Sequence, residues 1–478
     1  MKKIIAMLLA LGMTASLWGC GGEGSSENGA ANSEVAAGNG ADQKQDGGSK
    51  VTGGGDISDN KETVGSQGDL HFLSSQGAES CYTEAGYYYF AEPVEISDGN
   101  WGMHLMYMDF ATAQEIYLCN NAGCNHDTLD CPAVFSVEEF PYSTTIPFIQ
   151  GDSLYFLSKR ADQDGSLCFS ATEDGVNIAD VESSPTNLYR ANLDGTGREK
   201  IYSFGDTITL EDIVMGDDQG IYVITKKITA DKNPEGTYFN STERKLVYLD
   251  LEKLEEKTVC DLEFGDSISW KLIDCYGQNL VFEGWDYGRK VTNQELFDDD
   301  SYEELYDQAQ EVIATVNIGD GALKEVYRID SKKEYSFLTK DNMLYVSWKA
   351  DGRIIGVNMD SGEEKEVCTS ANNSLFRVVG DKLCCTSWDL VADQTFYYVD
   401  TQTGEVSHSD LVNKCNGWQL EFRAELESDM LMVYDYEAIK NPDGSYEISR
   451  YQYGLISKED LFSGNDNFRK IDMIKEGI

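Results

Sequence analysis

An all-β fold, a ring of seven four-stranded sheets, is what this sequence predicts, and three observations carry the prediction. Apolar runs are short and alternate with polar residues at period two, the signature of half-buried strands. A turn led by Gly, Asp or Gln enters such a run seven times, at a mean spacing of about 57 residues. A second turn, carrying Asp or Asn, follows each of those runs and marks an outer hairpin. The composition agrees: 27 tyrosines, only 7 prolines and 41% hydrophobic residues suit strands around a core.

In chain order, Lys2 and Lys3 precede an uncharged apolar run from Ile4 to Trp18, too short to span a bilayer comfortably and laid out like a secretory signal. The run ends in Leu17-Trp18-Gly19-Cys20, which resembles a bacterial lipobox. That resemblance implies removal of residues 1–19 and acylation of Cys20, for example with palmitate, anchoring the chain to the outer face of the bacterial cytoplasmic membrane. Residues 20–67 are rich in Gly, Ser, Asn and acids with almost no large apolar side chain, a composition that predicts a flexible, disordered linker. As a tether it would reach about 35–40 Å root-mean-square. The folded part is then 68–478.

The first landmark falls at Gly86-Tyr87-Tyr88-Tyr89-Phe90, Asp152-Ser153-Leu154-Tyr155-Phe156, Gly220-Ile221-Tyr222-Val223 and Gln278-Asn279-Leu280-Val281-Phe282. It continues at Asp341-Asn342-Met343-Leu344-Tyr345, Asp381-Lys382-Leu383-Cys384 and Asp429-Met430-Leu431-Met432, and is assigned to the inner strand of each unit. The second landmark falls at Asp109, Asn192, Asp250, Asn317, Asn358, Asp400 and a degenerate Ser457. One tip sequence, Lys232-Asn233-Pro234-Glu235-Gly236-Thr237-Tyr238, returns 208 residues later as Lys440-Asn441-Pro442-Asp443-Gly444-Ser445-Tyr446, at equivalent places in the third and seventh copies. A blade cannot bury both faces alone, so seven copies stack into a β-propeller, six or eight blades being the alternatives.

The clearest copy, Leu188-Tyr189-Arg190-Ala191-Asn192-Leu193-Asp194-Gly195-Thr196, resembles the repeat of propellers like those of low-density-lipoprotein-receptor-related proteins, and above all a bacterial lipoprotein group of unknown function. The resemblance implies a propeller and a binding role and brings no catalytic residue; the receptor propellers have six blades where this count gives seven. Between residues 292 and 310, Thr292 with Glu295 and Ser301 with Glu304 keep capping-box spacing, predicting one or two helices. Asp298, Asp299 and Asp300 there read as a helix cap or a calcium site.

The balance of 38 basic against 84 acidic residues gives −46, a field that excludes nucleic acid and permits cationic ligands, divalent metal or basic protein patches. Losing Lys2 and Lys3 with the leader makes this −46 − 2 = −48. Eleven cysteines remain after Cys20, an odd number. Cys119, Cys124, His126 and Cys131 form a C-x4-C-x-H-x4-C loop that reads as a disulfide, a structural zinc site or free thiols. Adjacent Cys384 and Cys385 read as buried thiols on opposite faces of a strand.

Trp285, Trp348, Trp388 and Tyr436 recur where the inner strand exits, and the longest insertions leave from the same point. They are candidate ligand-binding residues on one acidic, aromatic face, or wedges between blades. The four histidines sit in no nucleophile, zincin or phosphate-loop context, so no catalytic residue is assigned. The expected function is a monomeric, lipid-anchored ligand-binding or scaffold module at the cell surface, taking glycan or protein. A carboxylate-dependent hydrolase or lyase acting on polysaccharide is the alternative from another class, and a purely structural envelope protein the third.

Overall fold

The computed structural model describes residues 68–474, apart from 76–77, 160–168, 173–174, 179–184, 206–207, 233–237, 263–267, 290, 292–304, 306–307, 331–332, 370–372, 390–392 and 441–445. Seven antiparallel blades, built from strands lying within 80–117, 145–203, 213–261, 268–330, 335–369, 373–409 and 421–470, follow one another along the chain. The signal peptide, Cys20 and the tether lie outside the described residues, as does most of the 292–310 insertion with its three consecutive aspartates. At its end the Ala309 N–H donates to the Leu305 carbonyl at 2.9 Å, a helical spacing. Among the described residues no helix is long and apolar enough to cross a membrane.

Closure of the ring is visible in the core. Seven apolar clusters each join one blade to the next: Phe156 with Phe90 and Phe135 between blades 1 and 2, Ile221 with Phe148 between 2 and 3, and Phe282 with Tyr222 between 3 and 4. Leu344 meets Val281 between 4 and 5, Leu383 meets Tyr345 between 5 and 6, Phe422 meets Phe396 between 6 and 7, and Tyr453 meets Tyr87 between 7 and 1. Period-two alternation places successive residues of a strand on opposite blade faces. Cys384 therefore packs toward blade 7 while Cys385 packs toward blade 5, both fully buried.

The outer-hairpin landmark has a common physical cause. Asp400 Oδ1 accepts from the N–H groups of Gln402 and Thr403 at 3.0 and 2.8 Å, Asn358 Oδ1 from Asp360 and Ser361 at 3.1 and 2.9 Å, and Asp250 Oδ1 from Glu252 and Lys253 at 3.1 and 2.8 Å. The side chain substitutes for a backbone acceptor and fixes the turn. Ser457 does the same in blade 7, accepting from Asp460 N–H and so capping the helix Lys458–Ser463. Gly404 closes the blade 6 turn at φ 72°, where a Cβ would meet the Val367 carbonyl of blade 5 at 2.3 Å.

Two features depart from the sequence reading. The turn-led strands are the second of each blade, not the innermost; another strand, such as Ser80–Thr83 or Ile213–Gly216, precedes each of them nearest the axis. The other departure is β1, His71–Ser75, which pairs antiparallel with Ile213–Gly216 on the axial side of blade 3 and lies against the innermost strands of blades 1, 2 and 4. Leu70 anchors it, buried between blades 3 and 4 with its N–H on the Gly277 carbonyl at 2.7 Å. Gly216 makes room, since a Cβ there would come within 2.6 Å of the Leu73 methyl. The central channel thus carries a strand of the chain itself, with Phe72 half exposed along it.

Among the described residues no strand is exchanged between the first and last blades; the C-terminal segment closes the seam instead. Asp472 bridges to Gln114, its N–H on the Ala113 carbonyl at 2.8 Å, and Glu115 N–H donates to its carbonyl at 3.0 Å. The Glu115 carboxylate, 3% exposed, takes the Tyr89 hydroxyl, the Ile474 N–H at 2.7 Å and the Arg450 guanidinium at 3.6 Å.

Candidate functional site

In a four-stranded meander the first and third turns lie at one end of the blade, and the middle connection and the link to the next blade at the other. That second end gathers the two long ribbons and the Cys–His link, while the helix Lys458–Ser463 lies in the third turn of blade 7 at the other. Blade 3 sends up the ribbon Gly220–Lys232/Tyr238–Asp250 and blade 7 the ribbon Asp429–Lys440/Tyr446–Ser457, against 5–6 residues for the corresponding strands of blades 5 and 6. Strands of that length span about 40 Å, roughly twice the blade height. In a seven-membered ring, blades 3 and 7 stand about 150° apart, so the ribbons rise on nearly opposite sides of the channel mouth. The link carrying Cys119 to Cys131 emerges at the same end, between blades 1 and 2.

Trp285, Trp348, Trp388 and Tyr436 stand on this side, one each on blades 4 to 7. Trp348 turns inward: it is 9% exposed and packs in the cluster joining blades 4 and 5, with the Tyr335 ring at 5.8 Å and Lys333 Nζ over its face at 5.4 Å. Trp388 is half-buried under Lys349 Nζ at 5.6 Å, its Nε1 buried without a partner among the described residues. Trp285 is half-buried opposite Glu311 in the sheet register. Tyr436 donates its hydroxyl to Glu421.

Tyr436 leads to the densest polar cluster at the mouth. Glu421 opens the innermost strand of blade 7, Glu79 immediately precedes that of blade 1, and Tyr142 lies three residues before that of blade 2. Arg423 pairs with Glu421 and lies over the Tyr451 ring at 5.6 Å, with Tyr87 and Tyr453 buried beside it. Glu79 is 5% exposed at φ 48°, a left-handed conformation unusual for a side chain of this size. Tyr142 hydrogen-bonds its carboxyl, yet Oε1 is buried with no partner among the described residues. Burial, more than the neighbouring Glu92, pushes the Glu79 carboxyl up to about 8, so it holds its proton at neutral pH. Burial and the Glu421 carboxylate likewise keep the Tyr436 phenol protonated.

Sequence reasoning singled out only Tyr436 here. The alternation Glu421-Phe422-Arg423-Ala424-Glu425, with charged residues on one strand face and apolar residues on the other, was a readable signal. A second raised carboxyl, Glu311 in blade 4, is 2% exposed and shifted by burial first and by adjacent Glu283 second.

The Cys–His loop also converges. Sγ of Cys119, Cys124 and Cys131 and one ring nitrogen of His126 all lie within 4.8 Å of one another, and none of the ten described cysteines is in a disulfide. The Tyr117 ring stacks on His126 at 4.4 Å, and His104 Nε2 donates to the His126 carbonyl at 2.7 Å.

No family model matches the chain, and no curated protein matches it. Among solved structures it is similar to an oligogalacturonate lyase from Vibrio parahaemolyticus, with 13% identity and TM-score 0.41 over 85% of this chain and 86% of that one. It is similar to an oligogalacturonate lyase in complex with manganese at 15% identity and TM-score 0.38, over 76% and 84%. The β-propeller domain of the Trilobed protease from Pyrococcus furiosus gives 11% identity and TM-score 0.39, over 85% of this chain and all of that domain, 100%. Likenesses this distant carry no argument about chemistry.

Proposed function

We propose that this protein is an exported propeller, tethered to the cell exterior by a lipid on Cys20, that binds a neutral or amino-bearing glycan at the channel mouth between the ribbons of blades 3 and 7. The observation that carries the reading is Glu79, a buried protonated carboxyl with one oxygen unpartnered and the Tyr142 hydroxyl on it, at a mouth that also carries Tyr436 and Tyr451 around Glu421. Tyrosine rings offer flat apolar faces to sugar rings while their hydroxyls and the carboxyl exchange hydrogen bonds with sugar hydroxyls. The guanidinium of Arg423 is already matched by Glu421, and the chain carries −46 overall, so the site disfavours polyanions.

The test is titration calorimetry with cello-, xylo- and chito-oligosaccharides. Glu79→Ala and Tyr451→Ala should each weaken binding about tenfold or more, as central contacts of a buried site do, while Glu79→Gln, which imitates the protonated acid, keeps most of the affinity. No binding by the wild-type protein, or unchanged binding in both alanine variants, overturns the reading.

A second reading, a polysaccharide hydrolase or lyase, draws on the same carboxyl. A proton-holding Glu79 is the kind of general acid that cleavage of a glycosidic bond uses, and exposed Glu92 is a second carboxyl group beside it. It is distinguished by Glu79→Gln, which would leave binding intact and abolish release of reducing ends.

A further inference from the structure

We propose that Cys119, Cys124, His126 and Cys131 bind one zinc ion, a tetrahedral structural site that ties the link between blades 1 and 2 to the body of the propeller. In a tetrahedron with Zn–S of about 2.3 Å and Zn–N of about 2.0 Å, the ligand–ligand edges are about 3.8 Å for two sulfurs and about 3.5 Å for sulfur and nitrogen. The four donor atoms already lie within 4.8 Å of one another, and the edge between His126 Nδ1 and Cys131 Sγ measures 3.4 Å. A contraction of about an ångström around the ion completes the figure.

The backbone is shaped for this. Gly123 at φ 74° and His126 at φ 58° turn the chain twice within four residues, which is how a ligand pair separated by one residue reaches the same centre. The Asn121 N–H points at Cys119 Sγ at 3.4 Å, the outer hydrogen bond that orients a ligand sulfur. The imidazole is held by the Tyr117 ring against its face and through the His126 carbonyl, which accepts from His104. The Ser97 N–H on the Asp127 carbonyl at 3.0 Å ties the loop to blade 1.

The loop's apolar packing is small: the three sulfurs sit against Ile96, Ala133, Val134, Val94 and Tyr117. Between Cys119 and Cys131 the one large apolar side chain, Leu129, is 46% exposed. A loop with so small a core gains a single fixed shape from a cross-link. A disulfide would use two of the three sulfurs and leave the third thiol and the oriented imidazole without a role. Zinc uses all four groups, needs no oxidant, and releases the thiol protons to solvent on binding. Three thiolates and an imidazole suit Zn²⁺ far better than Ca²⁺ or Mg²⁺.

The experiment uses the full chain, purified with and without reductant, and measures bound metal and free thiols together. One zinc per chain is expected, surviving dialysis and released in step with chemical blocking of three thiols. Cys124→Ser should hold less than a fifth of an equivalent, while Cys384→Ser, buried in another blade, keeps the full complement. Protein isolated without metal is reduced and titrated with zinc chloride, or with cobalt chloride to read the visible bands of tetrahedral cobalt–thiolate; uptake of one equivalent supports the site. Two results overturn the proposal: no uptake of zinc at micromolar concentration by the reduced chain, or a disulfide joining two of these cysteines in protein trapped with its thiols blocked.

Discussion

The buried carboxyl of Glu79 gives a pH dependence whose sign and size follow from its surroundings. Folding raises it from 4.5 to about 8. Between those values the unfolded chain has released the proton while the folded chain keeps it, so folding takes up a proton and stability falls as pH rises. The full shift of about 3.5 units at 1.36 kcal/mol each sets a ceiling of about 5 kcal/mol. Tyr142 supports the charged form and Glu92 is exposed to screening solvent, so about 2 kcal/mol is the working expectation. Glu79→Gln removes the ionisation and keeps the volume and the acceptor for Tyr142. Urea unfolding of both proteins from about pH 5 to about pH 8.5 isolates the effect, because every other titration cancels in the difference. The variant should gain about 2 kcal/mol on the wild type across that range, with the rise ending near the folded value of about 8. A difference flat to within about 0.5 kcal/mol, or one of opposite sign, refutes the burial argument and with it the protonated state on which the proposed site depends.

Two further perturbations test the architecture. Trp348→Ala should cost about 3–5 kcal/mol, since the ring is 9% exposed between blades 4 and 5, and leave glycan titrations unchanged; a loss under about 1 kcal/mol would mean the ring does not wedge the blades. Glu115→Ala removes the carboxylate shared by Tyr89, Arg450 and the Ile474 N–H at the seam, leaving a partly buried guanidinium unpaired at a cost of about 3–5 kcal/mol. Hydrogen exchange should then quicken first in residues 469–474, and uniform quickening around the ring would show that the seam is not the closure point.

Much of the architecture was legible because it is written in local chemistry. Asp250, Asn358 and Asp400 fix their turns through side-chain acceptors, so one residue type at one place in each copy announces the hairpin. Period-two alternation was enough to send Cys384 and Cys385 to different interfaces. In blade 1 the innermost strand was missed because it is short: Ser-Cys-Tyr-Thr at 80–83 offers two alternations and no strong breaker, whereas the turn-led strand beside it is longer and more apolar. β1 was unreadable for a different reason, since a five-residue stretch becomes a strand only when the innermost edge of blade 3 is there to pair with it. The mouth cluster draws on Glu79, Tyr142, Glu421 and Tyr451, positions brought together only by closing the ring, and no window of sequence contains them.

The location of that cluster supports a functional reading over a merely structural one. It lies at the interface that closes last along the chain, where among the described residues no shared strand holds the two blades and an apolar cluster around Tyr87, Leu431 and Tyr453 joins them. Beside that apolar packing a protonated glutamate, a glutamate–arginine pair and several phenols are taken out of water at the mouth. Burying such groups costs several kcal/mol more than burying hydrocarbon of the same volume, and a charge pair repays that only with good geometry. Here Arg423 and Glu421 satisfy each other and Tyr436 satisfies Glu421, but Glu79 keeps an empty acceptor in a left-handed backbone conformation. Departures from local rules, gathered at one point of an otherwise regular ring, are where selection for something other than stability leaves its mark. With β1 along the axis and the ribbons of blades 3 and 7 flanking the mouth, a ligand reaching Glu79 would approach from that face.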